Sequence, residues 1–217
     1  MPNEQHTRNL QELYGVKYYE SSSSSHIVAP IDSLYYYEIY IGHHDVVIER
    51  GDCAYWISED GLTAHLTRGY AEVHTTQVLT IIRGYMPENK MSEIKNKTCL
   101  PYINGCSTKQ IFPPDRLGDP TLQMLLMPPN TEEQAHHIHS TVRVVYVQSG
   151  SGYSIVGMKN QTIKEKLYKG KVIVLNEMCP HHFKTENESL VVIPLHVWSS
   201  VASLEQNHPM FNGTHQI

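Results

Sequence analysis

The sequence predicts an all-β protein, a sandwich or a barrel, with one short helix at its start. Three observations point there. Apolar runs of strand length recur from Ile27 onward, rich in Val, Ile, Tyr and Thr and split by Gly, Pro, Asn and Asp. No long segment of 3.6-residue period lies between them, which argues against alternating strands and helices. The 217 residues suffice for one full core or two very small ones.

Residues 3–14 (NEQHTRNLQELY) place Leu10, Leu13 and Tyr14 on one helical face, and Gly15 is a natural stop. Five serines follow, Ser21 to Ser25, so residues 1–28 read as a helix and a flexible linker. The strand-like runs are Leu34–Ile41, Asp45–Ile48, Cys53–Ile57, Ala71–Val73, Gln77–Ile82, Leu122–Met127, Thr141–Val147, Tyr153–Val156, Lys171–Leu175 and Leu190–Leu195. Residues 85–120 carry five prolines and read as a long connection. The expected organisation is an N-terminal β region over 29–105, a barrel over 106–205 and a tail over 206–217. A weak echo links Gly42, Val46 to Asp52 and His65 to the layout of the second half. Residues 29–105 therefore read as a degenerate second barrel or as extra strands on one barrel.

The formal net charge is −5, with 40% hydrophobic and 18% charged residues. That balance argues against nucleic acid or anionic lipid as a partner, and neither a basic stripe nor a helix-turn-helix pattern is visible. No apolar run approaches the roughly 20 residues of a membrane span. Met1 to Gly15 lacks the apolar core of a signal peptide, so a cytoplasmic address is expected and the sequons at Asn96, Asn160, Asn187 and Asn212 are expected to be unused. Cys53, Cys99, Cys106 and Cys179 form no C-x-x-C pair and read as free thiols.

Fourteen histidines invite a search for ligand spacing, and Ala135-His136-His137-Ile138-His139 answers it. Alternate strand residues share a face, so His137 and His139 point the same way, close enough to hold one ion. Thr141, Arg143 and Val145 continue that parity. A turn is expected at Gly150-Ser151-Gly152, and a later strand leads to Pro180-His181-His182-Phe183. His181 would return to the same point of a rolled sheet. His136 and His182 have the opposite parity and read as outward-facing, and His43-His44 and Glu132-Glu133 read as loop polarity.

In this order and spacing the chain resembles the cupin superfamily. His137, His139 and Gly150 match its first motif, with Arg143 where the Glu should stand. Gly170 and His181 match its second, with Asn176 and Met178 replacing the Pro and Gly and Thr185 replacing the Asn. The resemblance covers about residues 106–200. It implies a double-stranded β-helix (a jelly roll), a homodimer, and a divalent transition metal on His137, His139 and His181. Iron is the favoured ion, with Ni, Mn, Zn or Cu as alternatives.

In that family the missing Glu is usually a fourth ligand, and arginine stays protonated and cannot ligate. Arg143 is expected to bind a substrate carboxylate or phosphate, or to pair with Glu132 or Glu133; a third outcome is that its charge abolishes metal binding. Tyr153 is expected to supply a phenol to the cavity, since Tyr146 has the wrong parity. Gln134 is expected to orient a water, and Cys179 to lie beside the ligands. The expected activity is an Fe(II)-type dioxygenase acting on a small anionic molecule. The rival readings are a metal-dependent isomerase or lyase, and a non-catalytic small-molecule sensor.

Overall fold

The computed structural model describes residues 4–31, 33, 36–74, 76–116, 118–132, 135–158, 160–198 and 214–216. Helix α1 (Glu4–Tyr14) leads into β1 (Val16–Glu20) and β2 (Ser25–Val28). A first set of strands follows: β3 (Tyr37–Ile41), β4 (Val46–Ile48), β5 (Asp52–Ser58), β6 (Thr63–Arg68), β7 (Ala71–Val73) and β8 (Thr76–Arg83). Next come β9 (Lys90–Glu93), β10 (Leu100–Pro101) and β11 (Ser107–Phe112). The second set is β12 (Thr121–Met127), β13 (His137–His139), β14 (Arg143–Met158), β15 (Gln161–Tyr168), β16 (Lys171–Leu175), β17 (His181–Lys184) and β18 (Leu190–His196); β19 (Thr214–Gln216) is last. Every ladder among the described residues is antiparallel, as expected of an all-β jelly roll. No helix among them is long and apolar enough to cross a membrane.

One strand order occurs twice. In the first set the sheet runs β3-β8-β5-β6, with β4 paired to β7 apart from it. In the second, β12-β18-β14-β16 repeats that order and β13 pairs with β17. Alternation sorts the side chains into three cores. Ile39, Tyr55 and Ile82 of the first sheet meet Met124, Tyr146 and Ile193 of the second in one shared layer. Val145, Val147, Ile173, Phe183 and Val192 fill the interior behind the second sheet. A smaller core of Val46, Ile48, Ala54, Val73, Leu79 and Ile81 lies behind the first. Burying both faces of both sheets explains why their strands read as near-continuous apolar runs.

Several elements differ from the sequence reading. Residues 16–20, expected as linker, form β1 and pair with β16 from Val16↔Leu175 to Glu20↔Lys171. The partner lies some 150 residues away, so nothing local announces the strand. Ser25 to Val28 likewise pairs with β3. The long connection contains β9, β10 and β11, short strands added to sheet edges. Polar β6, β15 and β17 went unrecognised because their outward faces carry Thr, Lys, Glu and His. Leu13 is 66% exposed, so α1 packs through Leu10 and Tyr14 instead.

The expected turn at Gly150-Ser151-Gly152 does not form. Arg143 to Met158 is one strand, interrupted by a bulge: Val147 faces Val192 while Ser149 faces Val191. Gln148 is the extra residue, and its amide donates to Gly61 O at 2.7 Å across the shared layer. Gly150 then takes φ +79°, where a Cβ would overlap Ser189 O. The glycine marks a close strand approach, and one inserted residue reverses the parity of everything beyond it.

Candidate metal centre

His137 stands directly opposite His181 on adjacent strands β13 and β17. Alternation along β13 brings His139 to the same face. The three imidazoles offer ligand atoms that all lie within 4.8 Å of one another. His137 and His181 are buried and His139 is half-buried.

Backbone carbonyls fix two of the tautomers. His137 Nδ1 lies 3.0 Å from Ala135 O, and His181 Nδ1 lies 2.8 Å from Cys179 O. A carbonyl oxygen only accepts, so each Nδ1 carries the proton and each Nε2 keeps its lone pair for a metal. His137 Nε2 and His139 Nε2 are 3.2 Å apart. Two imidazoles each about 2.1 Å from one ion, at an angle of about 100°, have that separation. The donor set therefore fits a transition metal.

The electrostatics agree. Burial lowers His137 to a pKa of about 4, against the opposing effect of its hydrogen bond to Ala135. Burial also holds His139 and His181 well below the ordinary histidine value, and the positive Arg143 adds to the effect at both. All three are neutral near pH 7, the form that ligates.

The facing wall of the barrel is polar at this level. Arg143 shares parity with Val145 and Val147, and His196 shares parity with Val192, so both face the same interior. In register, Thr121, His196 and Arg143 form a row across β12, β18 and β14. Arg143 is buried and donates from Nη1 to Thr141 Oγ1. His196 is buried, with its ring centroid 6.1 Å from that of His139. Sequence reasoning missed His196 because its strand was expected to stop at Leu195; one more residue of the same alternation would have found it.

The other expected residues divide. Cys179 is buried, and burial raises its thiol to about 12, so it is an inert packing group whose carbonyl, rather than its sulfur, serves the site. Tyr153 is not in the cavity: past the bulge its ring faces outward, with Lys164 Nζ 3.8 Å from its centroid. Tyr146 packs in the shared layer. Gln134 and Glu133 lie outside the described residues. Glu132 pairs with Lys184 at 2.8 Å, while Arg143 engages Thr141. His136 and His182 sit on the reverse face, their Nδ1 atoms 2.8 Å apart.

No protein-family model matches the chain, and no curated protein matches it in sequence. Solved structures do match. A Pseudomonas aeruginosa protein named for induction by glyoxylate aligns with a TM-score of 0.58 and 11% identity, over 83% of this chain and 88% of its own. A salicylate 1,2-dioxygenase variant from Pseudoaminobacter salicylatoxidans, in complex with gentisate, aligns with a TM-score of 0.51 and 12% identity, over 83% of this chain and 71% of its own. A cupin 2 conserved barrel domain protein from Leptotrichia buccalis aligns at 0.45 and 12%, over 81% and 89%. At such identities the likeness to the first two is one of fold alone, and it agrees with the strand order found in each half. In fold, this chain is an all-β jelly roll of the cupin type.

Proposed function

We propose that the chain is a metal-dependent cupin enzyme acting on a small anionic molecule, with dioxygen insertion as its chemistry. The observation that carries this reading is the converging triad of neutral imidazoles, with no carboxylate joining the group among the described residues, facing a buried arginine. His137, His139 and His181 would hold the ion, with iron favoured over Ni, Mn, Zn or Cu. When bound, such an ion supplies a point at which dioxygen or a substrate oxygen is taken up and polarised.

The chain's own residues supply the rest. Ala135 and Cys179 carbonyls hold two ligands in the tautomer that leaves Nε2 free. Three neutral ligands cancel none of a divalent ion's charge, and Arg143 adds a further positive charge. An anionic substrate offsets that excess, and Arg143 offers it a fork of donors in a buried site. The apolar interior of Val145, Val147, Phe183 and Val192 keeps water from the reacting groups.

We read residues 29–105 as a metal-free counterpart of the barrel over 106–205. The repeated strand order supports this, as does a β4–β7 ladder of Val46, Val47, Ile48, Ala71, Glu72 and Val73 that contains no histidine.

Oxygen uptake by iron-loaded protein, screened against small carboxylates, diketones and thiols, tests the reading. An anionic substrate should be consumed with oxygen, and Arg143→Gln should raise its KM by roughly thirtyfold or more without changing metal content. Turnover of neutral analogues as fast as anions would overturn it. Tight anion binding with no turnover for any loaded metal would make the chain a binding protein instead.

A further inference from the structure

His196 stands in the facing wall beside Arg143. It is buried on β18 between Thr121 and Arg143, facing the barrel interior with them. Its neighbours are engaged: Thr121 donates its hydroxyl to Phe112 O at 3.0 Å, and Thr141 accepts from Arg143. His196 Nδ1 is buried and has no hydrogen-bond partner among the described residues. A buried polar nitrogen without a partner is an uncommon and unfavourable arrangement, and beside a candidate site it points to a ligand atom that completes it.

We propose that His196 is a second recognition point for the substrate, so that the preferred anion carries a hydroxyl or oxo oxygen one or two carbons from its carboxylate. This rests on the reading of the barrel as an anion-binding metal site. Residues directly opposite on antiparallel strands have Cβ atoms about 5 Å apart. Arg143 and His196 are such a pair, so one small molecule can reach both. Arg143 takes the carboxylate. A neutral imidazole has one donor and one acceptor nitrogen, and pairs with a hydroxyl or an oxo group at no net charge. A plain carboxylate fills the arginine but leaves His196 Nδ1 without its partner. A site built to hydrogen-bond an oxygen discriminates strongly against the analogue that lacks it.

Calorimetric titration of the metal-loaded protein tests this with matched pairs: 2-hydroxybenzoate against benzoate, and 2-hydroxypropanoate against propanoate. Wild type should bind the hydroxylated member roughly tenfold or more tightly. Hydroxycarboxylates also chelate metals, so the variants decide the cause. In His196→Leu the preference should collapse towards equal affinity while metal content holds. His196→Asn, which keeps an amide near the Nδ1 position, should retain most of it. A preference that survives in His196→Leu belongs to the metal and overturns the proposal. Equal affinities in wild type overturn it as well, leaving Nδ1 to a water, while the anion-binding reading stands. Failure of every carboxylate to bind wild type would defeat both.

Discussion

Acidification should destabilise the metal-free protein well above the pH range in which carboxylates protonate. His137 has a folded pKa of about 4 against an ordinary value of 6.5. A depressed folded pKa means that the unfolded chain binds the proton first. The stability is therefore whole above pH 6.5 and falls as pH drops towards 4. Between pH 7.5 and pH 5.0 the linkage for these two values amounts to about 2 kcal/mol from His137 alone. His139, His181 and His196, also held low by burial, act in the same direction. Glu38 and Glu132 have lowered pKa values and respond only at lower pH, so pH 5.0 isolates the histidines. Urea unfolding of the chelator-treated protein at the two pH values measures the loss, and His137→Gln should reduce it by about 2 kcal/mol. A wild-type loss below about 2 kcal/mol, or an unchanged loss in the variant, would refute the burial of neutral imidazoles on which the site depends.

Other outcomes follow from single contacts. Gly150→Ala combines a left-handed backbone with overlap on Ser189 O, and should cost about 3 kcal/mol or more, read as a lower melting temperature by calorimetry. Cys179→Ala should leave metal content unchanged, because the Cys179 carbonyl rather than its thiol holds His181; urea unfolding should register a loss of about 1 kcal/mol for the small cavity.

Much of this was legible because alternation is a local rule. The His137-x-His139 spacing gives one face of one strand, and His181 returns to it through a ladder whose partner the glycine and proline signals announce. Arg143 faces the interior too, but from a new strand: residues 140–142 bend out of β13 before β14 begins, so its position does not follow from the parity of His139. Beyond Gln148 the rule fails. The inserted residue has no sequence signature, since its amide is held by Gly61, 87 positions away. The parity of Tyr153 therefore could not be read from Tyr146. Strand β1 was invisible for a related reason: Val-Lys-Tyr-Tyr-Glu is a strand only because Lys171 to Leu175 lies beside it. His196 depended on a strand end, the boundary that local pattern defines least well.

The central claim is that three imidazoles hold one metal ion. Plasma mass spectrometry of anaerobically purified protein tests it most directly, with His137→Ala and His181→Ala run beside wild type. The account predicts about one equivalent of a transition metal per wild-type chain, lost in both variants while circular dichroism stays unchanged. Wild type that takes up no metal even after reconstitution, or variants that keep it, would contradict the account.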